Sequence, residues 1–98
     1  MIGIDIISVK RFKHKNEKFL QKIFSKKELF EAKNNLEKLA GKWAAKEAAY
    51  KAGLHYANHE IEILSENCKP FVFINGVKSD AQISISHDNH YATAIVFI

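Results

Sequence analysis

Ninety-eight residues, 47% of them hydrophobic and 27% charged, are ordinary for one soluble globular domain spanning 1–98 with a modest core. No apolar run approaches the roughly 20 residues of a membrane helix, and the N-terminus lacks a signal-peptide pattern. A single cysteine, Cys68, cannot close an internal disulfide, so a cytoplasmic protein with no membrane partner is expected.

The net charge of +4 is unevenly spread. Lys10 to Lys27 holds eight basic residues against one acid, Glu17, for +7; the other seven basic and ten acidic residues sum to −3. Such asymmetry points to one face meeting an anionic partner, which could be nucleic acid, anionic lipid or an acidic protein.

Met1 to Ile7 (MIGIDII) reads as a short buried strand interrupted by Asp5. A basic helix is expected from about Ser8 to Lys15, with Phe12 turned inward. Asn16 is a candidate N-cap for a second short helix, in which Phe19, Leu20, Ile23 and Phe24 form one buried face. Ser25 and Glu28 have the S-x-x-E spacing of a capping box and open a third helix through about Lys33.

The stretch Leu36–Leu54 is the strongest helix signal, rich in Ala, Leu, Lys and Glu, with Gly53 placed to stop it. At about 100° per residue, Leu36, Leu39, Ala40, Trp43, Tyr50 and Leu54 share a face, and Lys38, Lys42 and Ala45 are expected on the solvent side. Glu47 lies within the apolar stripe, with Lys51 one turn later. A carboxylate there is costly unless a cation, metal or hydrogen-bond donor meets it. Gly41, a poor helix former in mid-helix, suggests a close approach by backbone or ligand.

The second half changes period. His59–Leu64, Pro70–Ile74, Gln82–His87 and Tyr91–Ile98 read as strands, with turns at Glu66–Lys69 and Asn75–Gly76 and a tight hairpin link at Asp88–His90. A strand and helices followed by strands predict an α+β domain whose antiparallel or mixed sheet packs on the long helix.

The residues that could carry chemistry are Asp5, Glu47, Lys51 and His87, with Ser86 beside the last. Two hard carboxylates without a cysteine cluster favour Mg²⁺ over zinc, and a nearby lysine suits a phosphate oxygen. His55 and His59 have i,i+4 metal spacing, but Gly53 ends the helix before them and no third ligand is evident. No phosphate-binding glycine loop, dinucleotide fingerprint or serine nucleophile elbow occurs.

GIDI at 3–6, KRF at 10–12, FLQKIF at 19–24, LAGKWAAKEAAYKA at 39–52 and SISHDNHYATA at 84–94 occur in that order. Together they span nearly the whole chain, which resembles the holo-acyl-carrier-protein synthases, the small trimeric type of 4′-phosphopantetheinyl transferase. The resemblance implies transfer of phosphopantetheine from coenzyme A to a serine of apo-acyl carrier protein, releasing adenosine 3′,5′-bisphosphate, for fatty acid biosynthesis. It also implies a homotrimer with coenzyme A in clefts between protomers.

On the matching positions, the resemblance makes Asp5 and Glu47 the Mg²⁺ ligands and catalytic carboxylates, and Lys51 the catalytic-helix lysine. His87, Ser86, Lys51 and Lys42 become coenzyme A contacts. Lys10, Arg11, Lys13 and Lys15 become the surface for the acidic helix of the carrier protein.

The chain departs from the family pattern in carrying Ser8 where an acid is common and a turn shortened to Gly53-Leu54-His55. It also has Cys68 before Lys69-Pro70, and Lys42 in place of arginine. Two other readings remain distinct. A nucleic-acid-binding module using the +7 segment would leave Asp5 and Glu47 unexplained. A degenerate subunit that binds carrier protein without transfer would not need every catalytic candidate, and all are present.

Overall fold

The computed structural model describes all residues, Met1–Ile98. It is an α+β arrangement in the order β1 (Ile2–Ser8), a 3₁₀ turn (Val9–Phe12), α1 (Glu17–Ile23), α2 (Lys26–Ala32), α3 (Leu36–Lys51), then β2 (Ile61–Glu66), β3 (Lys69–Ile74), β4 (Val77–Lys78), β5 (Gln82–His87) and β6 (Tyr91–Phe97). In place of one sheet there are two three-stranded antiparallel sheets, β1-β6-β5 and β2-β3-β4.

The N-terminal strand pairs along its length with the C-terminal one, Ile2 opposite Phe97 through Ser8 opposite Tyr91. Strand alternation then sorts the sheet's faces. Gly3, Asp5 and Ile7 share the inner face with Ala92, Ala94 and Val96. Ile2, Ile4 and Ile6 stand outward with Ile95 and Phe97, and all five are exposed.

The helix starts are locally determined. Asn16 and Asn35 side chains accept from the backbone N–H of Phe19 and Lys38, and the Ser25–Glu28 capping box is complete. The N–H groups of Gly53 and Leu54 bond to the carbonyls of Tyr50 and Ala49, with Gly53 at φ 108°, so α3 ends in a Schellman motif. The basic helix expected over Ser8–Lys15 is only the 3₁₀ turn, because Lys13 is extended and His14 has φ 64°. Leu20 and Phe24 are buried as expected, whereas Phe19 is exposed and Ile23 half-buried.

The largest correction concerns α3. Lys42 and Ala45, expected on a solvent face, are buried, as are Ala44, Lys46, Ala48 and Ala49, while Tyr50 is 55% exposed. The helix is covered on two sides, so a single stripe does not describe it. Gly41 and Ala48 meet the β1-β6-β5 sheet, and Lys42 and Lys46 reach backbone carbonyls of the β2 side.

The β2–β3 link is a two-residue turn at Asn67–Cys68, both in the left-handed region. Asn75–Gly76 makes a second such turn into β4, a strand too short to show periodicity.

Two glycines set how closely the layers approach. A Cβ on Gly41 would lie 3.0 Å from Ile85 Cγ2, so the approach anticipated there is by a β5 side chain. A Cβ on Gly3 would fall 2.0 Å from the carbonyl oxygen of Ala48 and 2.7 Å from the amide nitrogen of Ala52, far inside van der Waals contact with a rigid backbone. Gly3→Ala therefore forces β1 away from α3. Urea denaturation should show a loss of about 3 kcal/mol, the upper range of overpacking costs; an unchanged midpoint would show that the two elements are not locked.

Candidate active site

Asp5 reaches the helix side of the sheet because β1 alternates. Its backbone is held by β6, where Thr93 Oγ1 donates to the Asp5 carbonyl at 2.8 Å. Asp5 Oδ1 accepts from Lys51 Nζ at 3.0 Å, and the same ammonium donates to the Ile4 carbonyl at 3.2 Å. The Lys51 side chain is half exposed, so this pair contributes little to stability. Asp5 Oδ2 is different: it is buried and has no hydrogen-bond partner. A buried carboxylate oxygen with no donor is an open coordination position.

Glu47, half-buried on α3, lines the same cavity of about 570 Å³ as Asp5. Arg11 and Lys15 bring positive charge to it, and Phe12 and Trp43 supply apolar wall. Trp43, read from the sequence as packing, does both jobs, since it also meets the Phe24 ring edge-on at 6.2 Å. Two carboxylates, one with an orphaned buried oxygen, fit a hard divalent cation that keeps water or phosphate oxygens in its remaining positions. No set of three or more His, Cys, Asp and Glu side chains converges anywhere in the chain, so an ion held by this pair would take its other ligands from water or phosphate. His55 stacks on Tyr50, ring centroids 4.3 Å apart, and His59 is exposed.

Of the basic candidates after β1, only Arg11 and Lys15 reach this cavity. Lys10 lines a separate pocket with Ser8 and Tyr91, and Lys13 is exposed. Ser8 lines that separate pocket and stands on the opposite face of β1 from Asp5.

A second cavity of about 590 Å³ lies between the start of α3, β5 and the β2–β3 sheet. Lys42 and His87 both line it, each backed by a carboxylate. Lys42 Nζ donates to Glu31 Oε1 at 2.7 Å and to the Ile63 carbonyl at 2.6 Å. His87 Nδ1 lies 2.6 Å from Glu37 Oε2. Ser86, one residue before His87, stands on the opposite face of β5 and does not join it.

The most deeply buried ion pair, beside the site, escaped the sequence reading. Glu28 is fully buried: Oε1 closes the capping box on the Ser25 N–H and pairs with Lys46 Nζ at 2.7 Å, while Oε2 accepts from Ile63 N–H. Lys46 in turn donates to the carbonyls of Ile23 and Asn58. Burial pushes the Glu28 carboxyl up from its usual value and the Lys46 ammonium down, against the attraction between them. The capping-box spacing marked Glu28, but a cap needs one carboxylate oxygen, and nothing in the spacing announces a use for the other.

Known proteins match along nearly the whole chain. The sequence family described as the 4′-phosphopantetheinyl transferase superfamily matches residues 1–96. A holo-[acyl-carrier-protein] synthase of a Geobacillus species is 40% identical, over 99% of this chain and 93% of that relative. One from Anoxybacillus flavithermus is 37% identical over 99% and 92%. Among solved structures, the Helicobacter pylori holo-[acyl-carrier-protein] synthase in complex with coenzyme A superposes with a TM-score of 0.85 at 30% identity, covering 99% of this chain and 98% of that one. The Bacillus anthracis synthase, in complex with CoA (3′,5′-ADP), gives 0.80 at 32% identity over 97% and 91%.

Because Lys46 neutralises a fully buried Glu28, Lys46→Met strands a carboxylate in the interior. The expected loss is about 3–5 kcal/mol, with a smaller loss for the Glu28→Gln, Lys46→Met double variant. Chemical denaturation of the two variants side by side checks the order; a double variant no more stable than Lys46→Met would contradict it.

Proposed function

The chain belongs to the 4′-phosphopantetheinyl transferase superfamily, and from that premise we propose that it transfers 4′-phosphopantetheine from coenzyme A to a serine of apo-acyl carrier protein. The observation that carries this reading is the pairing of Asp5, with its unpartnered buried oxygen, and Glu47 in one cavity bordered by Arg11 and Lys15. Asp5 and Glu47 would hold Mg²⁺, which when bound neutralises charge on the pyrophosphate.

The serine oxygen forms a bond to the phosphorus that carries pantetheine, and the bond from that phosphorus to the bridging oxygen of the pyrophosphate breaks. Adenosine 3′,5′-bisphosphate leaves with the bond's electron pair. Glu47 accepts the serine proton. Lys51, held beside Asp5 and half exposed, places its ammonium to stabilise or protonate the leaving oxygen. Arg11, Lys15 and the adjacent exposed Lys10 and Lys13 offer an acidic partner complementary charge. Lys42 and His87, in the second cavity, suit phosphate or sugar of coenzyme A.

The outward face of the β1-β6-β5 sheet supports the homotrimer that the resemblance implies. Ile2, Ile4 and Ile6 are 60–64% exposed beside Phe97 at 53%, a contiguous apolar surface of the kind that subunits cover. A cytoplasmic setting fits the exposed free thiol of Cys68.

Mass spectrometry of apo-acyl carrier protein incubated with the chain, coenzyme A and Mg²⁺ tests the activity. A gain matching phosphopantetheine, abolished by a chelator and reduced about 10²–10⁴-fold in rate by Glu47→Ala, is expected. No gain, or near-normal transfer by Glu47→Ala, contradicts the reading. Light scattering on the same sample should give three times the chain mass; a stable monomer would count against shared clefts.

A further inference from the structure

The cavity shared by Asp5 and Glu47 has no net negative charge with which to draw a divalent cation. Its two carboxylates are matched by Arg11 and Lys15 along the same walls. Lys51 then adds one positive charge from the last turn of α3, where its Nζ donates to Asp5 Oδ1 at 3.0 Å and to the Ile4 carbonyl at 3.2 Å. A divalent cation held by Asp5 therefore meets an ammonium bonded to the same carboxylate, and like charges that close repel.

The two oxygens of Asp5 divide the work. Oδ1 faces Lys51, while Oδ2 is buried and has no hydrogen-bond partner. Cation and ammonium can thus share one carboxylate, and what Lys51 sets is the affinity of the site and not access to it. Lys51 is also lightly held. Its side chain is 54% exposed, against 16% for Asp5, so water competes for the ammonium and the bond is readily exchanged. A flexible four-carbon stem lets the group turn from Asp5 to another anion without movement of the helix. The pyrophosphate of coenzyme A is such an anion, and its oxygens also suit the remaining positions of a hard cation.

We propose that Lys51 couples the binding of Mg²⁺ to the binding of coenzyme A: its ammonium weakens the hold of Asp5 and Glu47 on the cation until pyrophosphate takes that ammonium over. This rests on the proposed substrate and cation. Each ligand then tightens the binding of the other by the same factor, because their binding free energies are linked.

Mn²⁺ titrated into the parent chain and into Lys51→Met, Lys51→Arg and Lys15→Met, with and without coenzyme A, and followed by electron paramagnetic resonance, tests this without turnover. In the absence of coenzyme A, Lys51→Met should bind Mn²⁺ about tenfold more tightly than the parent. Lys51→Arg keeps the charge and should stay within about twofold of the parent. Lys15→Met removes an equal charge from the same cavity but not from Asp5, and should gain less than about threefold. The factor by which coenzyme A raises Mn²⁺ affinity, corrected for Mn²⁺ held by coenzyme A in solution, should be about tenfold larger in the parent than in Lys51→Met. Unchanged Mn²⁺ affinity in Lys51→Met, or an equal gain in Lys15→Met, overturns the inference. So does an absence of Mn²⁺ binding by the parent, or a coenzyme A effect of equal size in parent and Lys51→Met. If the coupling appears but apo-acyl carrier protein gains no phosphopantetheine, the proposed function fails while the role of Lys51 stands.

Discussion

Everything in the site depends on how closely β1 lies against α3. The absence of a side chain at Gly3 lets the strand backbone come within van der Waals reach of the Ala48 carbonyl and the Ala52 amide, an approach closed to any other residue. Two residues further along the same face of the strand comes Asp5. Ala48 is followed one turn later by Ala52, with Glu47 and Lys51 each one position earlier. A strand-to-helix contact set by one glycine therefore brings a carboxylate of the strand into the cavity of a carboxylate of the helix, and within 3.0 Å of an ammonium. The run of alanines at 44, 45, 48, 49 and 52, all at 0% exposure, serves the same end. Small side chains keep the helix close to what packs on it, and specificity comes from the polar groups at the margins.

The opposite side of α3 is fastened by charge. Lys46 ties the end of α1, the cap of α2 and the loop before β2 through one ammonium, and Glu28 receives it while also accepting from β2. Such a pair offers little net stabilisation over an apolar one, since both ions are desolvated. Its effect is geometric. The Ile23 end of α1 borders the cavity of Asp5 and Glu47, and Asn58 borders a smaller pocket that Glu47 also lines, so Lys46 fixes a wall on either side of the carboxylate.

Much of this was legible in the chain. Helix caps at Asn16 and Ser25 and the glycine stop at Gly53 depend on local bonds, and local residues encode them; the cap at Asn35 is equally local but was not read. The β5 and β6 hairpin was legible from alternation. Glu47 was visible as a charge inside an apolar stripe, and Asp5 as a break in an apolar strand. What the chain did not disclose were features made by elements far apart in sequence. A helix covered on two sides has no single stripe, which is why Lys42 and Ala45 were assigned to solvent. The second oxygen of Glu28 and the carboxylate of Glu37 behind His87 become apparent only when the sheets are assembled, whereas the strand alternation of β5 already sets Ser86 and His87 on opposite faces.

The central claim is that Asp5 and Glu47 act as one binding unit for a divalent cation. Mn²⁺ titrated into the chain with coenzyme A present, followed by electron paramagnetic resonance, tests this most directly. The account predicts one bound ion per chain, lost in both Asp5→Asn and Glu47→Gln although each leaves the other carboxylate in place. Binding that survives either substitution undiminished would contradict it.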